Sequence, residues 1–87
     1  MAYTHVSRLT TTSDQVFETV EEFIEFHGSI GENNPLVRDF LAEIEEGGQS
    51  VIRTMIYEEE ANRTAHKAEG VAVDDKPFTV ELVSISE

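Results

Sequence analysis

Three features of the sequence predict an α+β fold, with one four-stranded antiparallel sheet carrying two helices on a single face. Stretches of strand character lie at residues 2–10, 50–57 and 78–86, and two helical patterns lie at 12–27 and 58–69. A Gly47-Gly48 pair can turn a further strand at 35–46 back along 50–57. The resulting order, βαββαβ, is the split βαβ arrangement of ferredoxin-like folds.

The first strand, Ala2 to Thr10, alternates Tyr3, His5, Ser7 and Leu9 with Thr4, Val6, Arg8 and Thr10. Its β-branched and aromatic content suits a pleated strand that is polar on part of both faces. The next element is a helix. Thr12 and Gln15 have the spacing of a capping box, and Val16, Phe17, Val20, Phe23, Ile24 and His27 form a wide apolar stripe at helical spacing. Glu18, Glu21, Glu22 and Glu25 mostly occupy the solvated side. Gly28 closes the helix, and His27 is expected to interact with its C-terminal carbonyls.

Residues 35–46 support two readings. As a helix, Asn34 is the N-cap, Pro35 takes the first position, and Leu36, Val37, Phe40, Leu41 and Ile44 make a stripe that Gly47 stops. As a strand, Phe40, Ala42 and Ile44 share one face, Leu41, Glu43 and Glu45 share the other, and Gly47-Gly48 is a hairpin turn. Local signals favour the helix. The order of the remaining elements favours the strand, because three strands under three helices leave a thinner sheet. The helical alternative, βααβαβ, stays open at this point.

Ser50 to Tyr57 is a strand, with Ile52, Thr54 and Ile56 on one side and Val51, Arg53, Met55 and Tyr57 on the other. Glu58 to Glu69 loses that alternation and reads as a helix. Ala61, Ala65 and Ala68 form its inner stripe, acids stand at its N-terminal end, Lys67 stands near its C-terminal end, and Gly70 closes it. Val71 to Pro77 is a connection with a turn at Asp74-Asp75. Phe78 to Ser86 is the last strand, with Phe78, Val80 and Leu82 on one face and Val83 and Ile85 on the other.

Eighty-seven residues make a single domain, 1–87, whose folding buries roughly 60 to 65% of the unfolded surface. Such a modest core gains from dimerisation. There is no Cys, which excludes disulfides, thiolate metal sites and a Cys nucleophile. Eighteen acidic against six basic residues give a net charge of −12, which disfavours nucleic acid and anionic membranes as partners. The acidity fits a solvated surface, a high-salt setting, or a face that engages a basic partner. No signal-peptide pattern or membrane-spanning run is present, so a cytoplasmic location is expected.

The run Ile56-Tyr57-Glu58-Glu59-Glu60-Ala61, followed by His66, resembles the strand-to-helix junction of the dimeric α+β barrel superfamily. That superfamily includes antibiotic-biosynthesis-type monooxygenases, haem-degrading enzymes and stress-responsive barrel proteins. In that family an aromatic residue ends the third strand, an acidic turn follows, and Ala and His stand on the second helix. The resemblance implies a homodimer with two sheets packed face to face around a cavity. The family's aromatic residue at this place is usually Trp, which the chain lacks, and the Asn–Trp–His set of the haem-degrading branch is therefore incomplete.

The candidate residues are few. His5 and His66 are the candidate acids, bases or ligands, because imidazole titrates near neutral pH. Tyr3, Arg53 and Tyr57 are the candidate substrate contacts; Arg53 and Tyr57, on one strand face, could orient an anionic or phenolic molecule or form a dimer contact. No His pair has ligand spacing, so no metal is expected, and no cofactor motif is present. Two functions follow. One is a small homodimeric barrel that binds or oxidises an organic molecule in its cavity. The other is a non-enzymatic acidic module that binds a basic protein.

Overall fold

The computed structural model describes residues 2–69 and 78–86, with side chains in the second helix described through Thr64. Strand β1 (Tyr3–Thr11) leads to helix α1 (Val20–His27), β2 (Val37–Ile44), β3 (Ser50–Tyr57), helix α2 (Glu60–Glu69) and β4 (Phe78–Ser86). The strands form one antiparallel sheet in the order β2-β3-β1-β4. This is the ferredoxin-like arrangement, and residues 37–44 are a strand, so the helical reading of 35–46 is set aside. The predicted turn at Gly70 and Asp74-Asp75 lies outside the described residues.

The hairpin explains why the helix signals at Asn34–Pro35 do not prevail. Glu45 N–H donates to Ser50 O (2.9 Å), Gly48 N–H donates to Glu45 O (3.0 Å), and Gly47 and Gly48 take φ of 97° and 74°. Side chains disfavour that backbone region, and glycine enters it without steric cost. Asn34 caps a turn instead, its side-chain oxygen accepting from Leu36 N–H at 2.9 Å. Once β2 pairs with β3, Phe40, Ala42 and Ile44 all reach the core.

Helix α1 starts later than the Thr12–Gln15 spacing predicts. Thr19 is the N-cap, and its hydroxyl accepts from Glu22 N–H at 3.2 Å. Upstream, Ser13 N–H donates to the Thr11 hydroxyl and Gln15 N–H to the Ser13 hydroxyl, local bonds that compete with helical ones. Phe17 N–H donates to Gly48 O at 2.7 Å, which holds the segment extended against the hairpin and buries the Phe17 ring. Thr19-Val20-Glu21-Glu22 also has the Ser/Thr-x-x-Glu spacing.

Strand β4 carries one irregularity. Its register against β1 shifts between Val6 and Ser7, so that Leu82 faces Ser7 while Ser84 faces Val6 and Ile85 faces His5. Val83 is the extra residue. The bulge returns Ile85 to the side of His5, contrary to the simple alternation that places Ile85 with Val83.

The helix-covered face is divided along its length. At one end Leu9, Val51, Phe78, Phe17, Phe23 and Ile30 form the buried apolar core, joined by Ile44 and Val80. At the other end His5, Ser7, Arg53, Met55 and Tyr57 are buried, with α2 lying over β1 and β3. The opposite face of the sheet has no helix over it among the described residues. Its central row is Leu41–Thr54–Val6–Ser84, without a charge.

Substitutions at Thr19 and Gln15 test the helix start. Thr19→Ala is expected to cost about 1 kcal/mol of stability, as loss of an N-cap does, whereas Gln15→Ala should leave urea midpoints within error. Gly48→Ala should cost more, because an added Cβ would meet Phe17 O at 2.6 Å in a positive-φ conformation.

Candidate functional site

The register of β1 against β3 assembles the site. Tyr3 pairs with Tyr57, His5 with Met55 and Ser7 with Arg53, so all six side chains stand on one face of two adjacent strands. His5 and Tyr57 are each 1% exposed and Arg53 is 7% exposed. Four of the five residues predicted from sequence, Tyr3, His5, Arg53 and Tyr57, are thus brought together. The fifth, His66, lies on α2 with its side chain outside the described residues.

Arg53 is the centre. Its Nε donates to Ser7 Oγ at 3.1 Å and its Nη1 donates to Ile30 O at 2.7 Å. Burial lowers its pKa from the ordinary guanidinium value, while the Tyr57 hydroxyl and the Glu32 carboxylate act in the opposite direction. An arginine stays protonated under such a shift. The loop that receives it is shaped for the purpose. Gly31 takes φ of 111°, and a Cβ there would run into Met55 Cε. Glu32 Oε2 accepts from Ile30 N–H at 3.0 Å. Burial alone would raise the Glu32 pKa, but hydrogen bonds from its own and Ile30 backbone N–H groups, and from Ser29, hold it below the usual value.

A second guanidinium comes from α2. Arg63 stands over the Tyr3 ring, with Cζ 5.3 Å from the centroid, and its Nη1 donates to Ser86 O at 3.0 Å. His5 is pushed below the ordinary imidazole range, first by burial and then by the Arg53 charge, with a smaller contribution from Arg63; a backbone hydrogen bond opposes them. It is therefore neutral at pH 7. Tyr57 directs its hydroxyl at Met55 Sδ, 3.8 Å away.

The set has a coherent chemistry. A neutral imidazole can take a proton from an acidic phenol or enol, and neighbouring guanidinium groups stabilise the resulting oxyanion. Ser7, Glu32 and Arg63 belong to the site and were missed from sequence. Ser7 was legible as the residue two after His5 on the same strand face, and Arg63 as the one basic residue in the first turn of an acidic helix. Glu32 left no signal, because its role depends on the loop fold. Among the described residues no group of three His, Cys, Asp or Glu side chains could hold a metal ion.

His27 departs from expectation. Neither ring nitrogen has a hydrogen-bond partner, so it does not bond the helix carbonyls, whose Ile24 O is taken by Gly28 N–H at 2.6 Å. The ring sits among Phe17, Phe23, Phe26 and Phe78, with centroids 4.4 to 5.6 Å away. Burial lowers its pKa. The imidazole serves as a fifth ring of an aromatic cluster.

Against known proteins the chain stands apart: no family model, curated protein or solved structure matches it.

Two buried neutral histidines give stability a defined pH dependence. Their folded pKa values lie below the ordinary 6.5, so the unfolded chain takes up protons first as pH falls. Stability is full above about pH 7, declines as pH drops through 6.5, and levels once the folded imidazoles are protonated as well. Thermal melts between pH 7.5 and 5.5, above the carboxylate range, should show the decline, and His27→Phe should flatten part of it. An unchanged slope in the His5→Gln/His27→Phe double variant would remove this account.

Proposed function

We propose that this chain is a cytoplasmic homodimer of the dimeric α+β barrel type that binds a small anionic or phenolic organic molecule at Tyr3, His5, Arg53 and Tyr57. The observation that carries the reading is the division of labour between the two faces of the sheet. One face is covered by helices and holds a buried cation beside a neutral imidazole and a phenol. The other carries exposed aliphatic side chains in a nearly uncharged strip.

The partner for that strip is a second copy. Across the open face the row Leu41–Thr54–Val6–Ser84 has no charge, and Ile52 and Ile56 flank it on β3. Leu41 is 60% exposed. In a chain of net charge −12, two copies repel wherever acids meet, so an uncharged row with acids at its margins suits self-association. Arg8, on the same face, pairs with both Glu45 Oε1 at 2.7 Å and Glu81 Oε1 at 2.8 Å, a group of two carboxylates around one guanidinium that is displaced from the uncharged row toward the end of the sheet where β2 turns into β3. An isologous dimer of this kind would bury the face that α1 and α2 leave bare.

Tyr3, His5, Arg53 and Tyr57 lie on the covered face and not on the open face where a cavity between two sheets was expected, so the ligand would enter as the loop at residues 29–34 or α2 moves aside. His5 would accept a proton from a phenol or enol, and Arg53 and Arg63 would hold the anion.

The experiment has two arms. Light scattering should give a dimer mass for the natural chain and a monomer for Ile52→Glu. A thermal-shift survey of phenols, quinones and aromatic carboxylates should raise the melting temperature of the natural chain, and Arg53→Lys, which keeps the charge but loses the fork, should abolish the rise. A monomer in the first arm, or no shift with any compound in the second, sinks the corresponding half.

A further inference from the structure

The side of the molecule away from the open sheet face has a separate feature. Between residues 9 and 37 the chain contains six acids, Asp14, Glu18, Glu21, Glu22, Glu25 and Glu32, and neither Lys nor Arg. Glu32 is engaged by the loop around Arg53. The other five enter no ion pair among the described residues, whose pairs involve Arg8, Arg38 and Arg63. Five of the chain's eighteen acids are thus concentrated on α1 and its approach, uncompensated from within.

The same place has an apolar floor. Gln15, Phe17, Glu22, Glu25 and Phe26 line an open depression of about 340 Å³ between the extended segment before α1 and the outer side of the helix. Phe26 is 51% exposed although its ring packs against Phe17 and His27, with centroids 5.5 and 4.8 Å away. The aromatic cluster therefore holds Phe26 in place while leaving one side of it to solvent. An exposed ring beside two carboxylates is costly for solubility alone, where a further Glu or Lys would serve better. Val16, on the adjoining segment, is 56% exposed as well.

We propose that this groove is a docking site for a basic peptide segment of another protein, one apolar side chain seated against Phe26 and flanking Lys or Arg side chains paired with Glu22 and Glu25. Charge complementarity selects the occupant. A second copy of this chain would bring like charges together, and nucleic acid or an anionic membrane would be repelled. The site is independent of the buried Arg53 cluster and of the open sheet face, and it stays accessible when that face is covered. It gives the acidity a working role rather than a purely solubilising one.

The probe is a fluorescein-labelled peptide, acetyl-Lys-Arg-Lys-Leu-Lys-Arg-Lys-amide, with a control in which Gly replaces Leu. Anisotropy titration of the full chain should show binding of the Leu peptide that weakens as salt rises and is at least about tenfold tighter than that of the Gly peptide, the size of effect a central apolar anchor has in an interface. Phe26→Ser should erase that difference, and Glu22→Gln/Glu25→Gln should weaken both peptides. Glu43→Gln/Glu81→Gln, an equal charge change on the open sheet face, should alter neither. Circular dichroism melts establish that each variant is folded. Equal binding of the Leu and Gly peptides, equal loss from the two double variants, or no binding at low salt overturns the proposal, and none of these results bears on dimer mass or on the ligand survey.

Discussion

Burial of one cation in the middle of the sheet organises much of this molecule. Arg53 stands on β3, a central strand, with its guanidinium against Ser7 of β1 and Ile30 of the connection before β2. A buried guanidinium is tolerated only when its N–H groups meet acceptors. The connection must therefore bring a carbonyl to it, and the small residue at Gly31 and the folded-back Glu32 carboxylate are the means by which it does so. The same contact closes the polar end of the sheet and separates it from the phenylalanine-rich end.

Packing and polarity are distributed accordingly. Phe17, Phe23 and Phe78, with His27 among them, occupy one end under α1, where loss of apolar surface to solvent would cost most. The other end is a hydrogen-bonded set in which each buried polar side chain constrains its neighbours. Such sets restrict the number of ways the layers can be stacked. On the open face the arrangement inverts: aliphatic and hydroxyl side chains lie in the middle, and the acids Asp39, Glu43, Glu45 and Glu81 stand on the outer strands or at their ends. Charge is thus kept at margins on one face and gathered around α1 on the other side, which leaves two surfaces of different chemistry on one short chain.

The comparison between sequence and structure is instructive at particular residues. The strand at residues 37–44 was readable only through its neighbours. Its local pattern also fits a helix, and pairing with β3, which seats Phe40, Ala42 and Ile44 on the core, decided between them. The start of α1 was misplaced by seven residues, since Thr12–Gln15 and Thr19–Glu22 carry the same capping spacing and nothing local ranks them. The co-facial placement of His5, Arg53 and Tyr57 was legible from alternation, as two strands with known faces need only a register to bring them together. Their burial was not legible. His27 was assigned to the helix end because its position suited the dipole, whereas the four rings around it come from three separate parts of the chain.

By itself the sequence determined the number of elements, which side chains of β1 and of β3 share a side, and the break at Gly47-Gly48. These are consequences of spacing between near neighbours, which periods of 2 and 3.6 residues encode directly. The tertiary structure alone decided where α1 begins, which way Ile85 faces, and how Arg53 is satisfied. Each of these depends on a contact between segments distant in the chain: Phe17 with Gly48, Val6 with Ser84, Arg53 with Ser7 and Ile30. Such contacts exist only once the sheet has closed, and no local pattern can specify which of several equivalent signals the closed sheet will use.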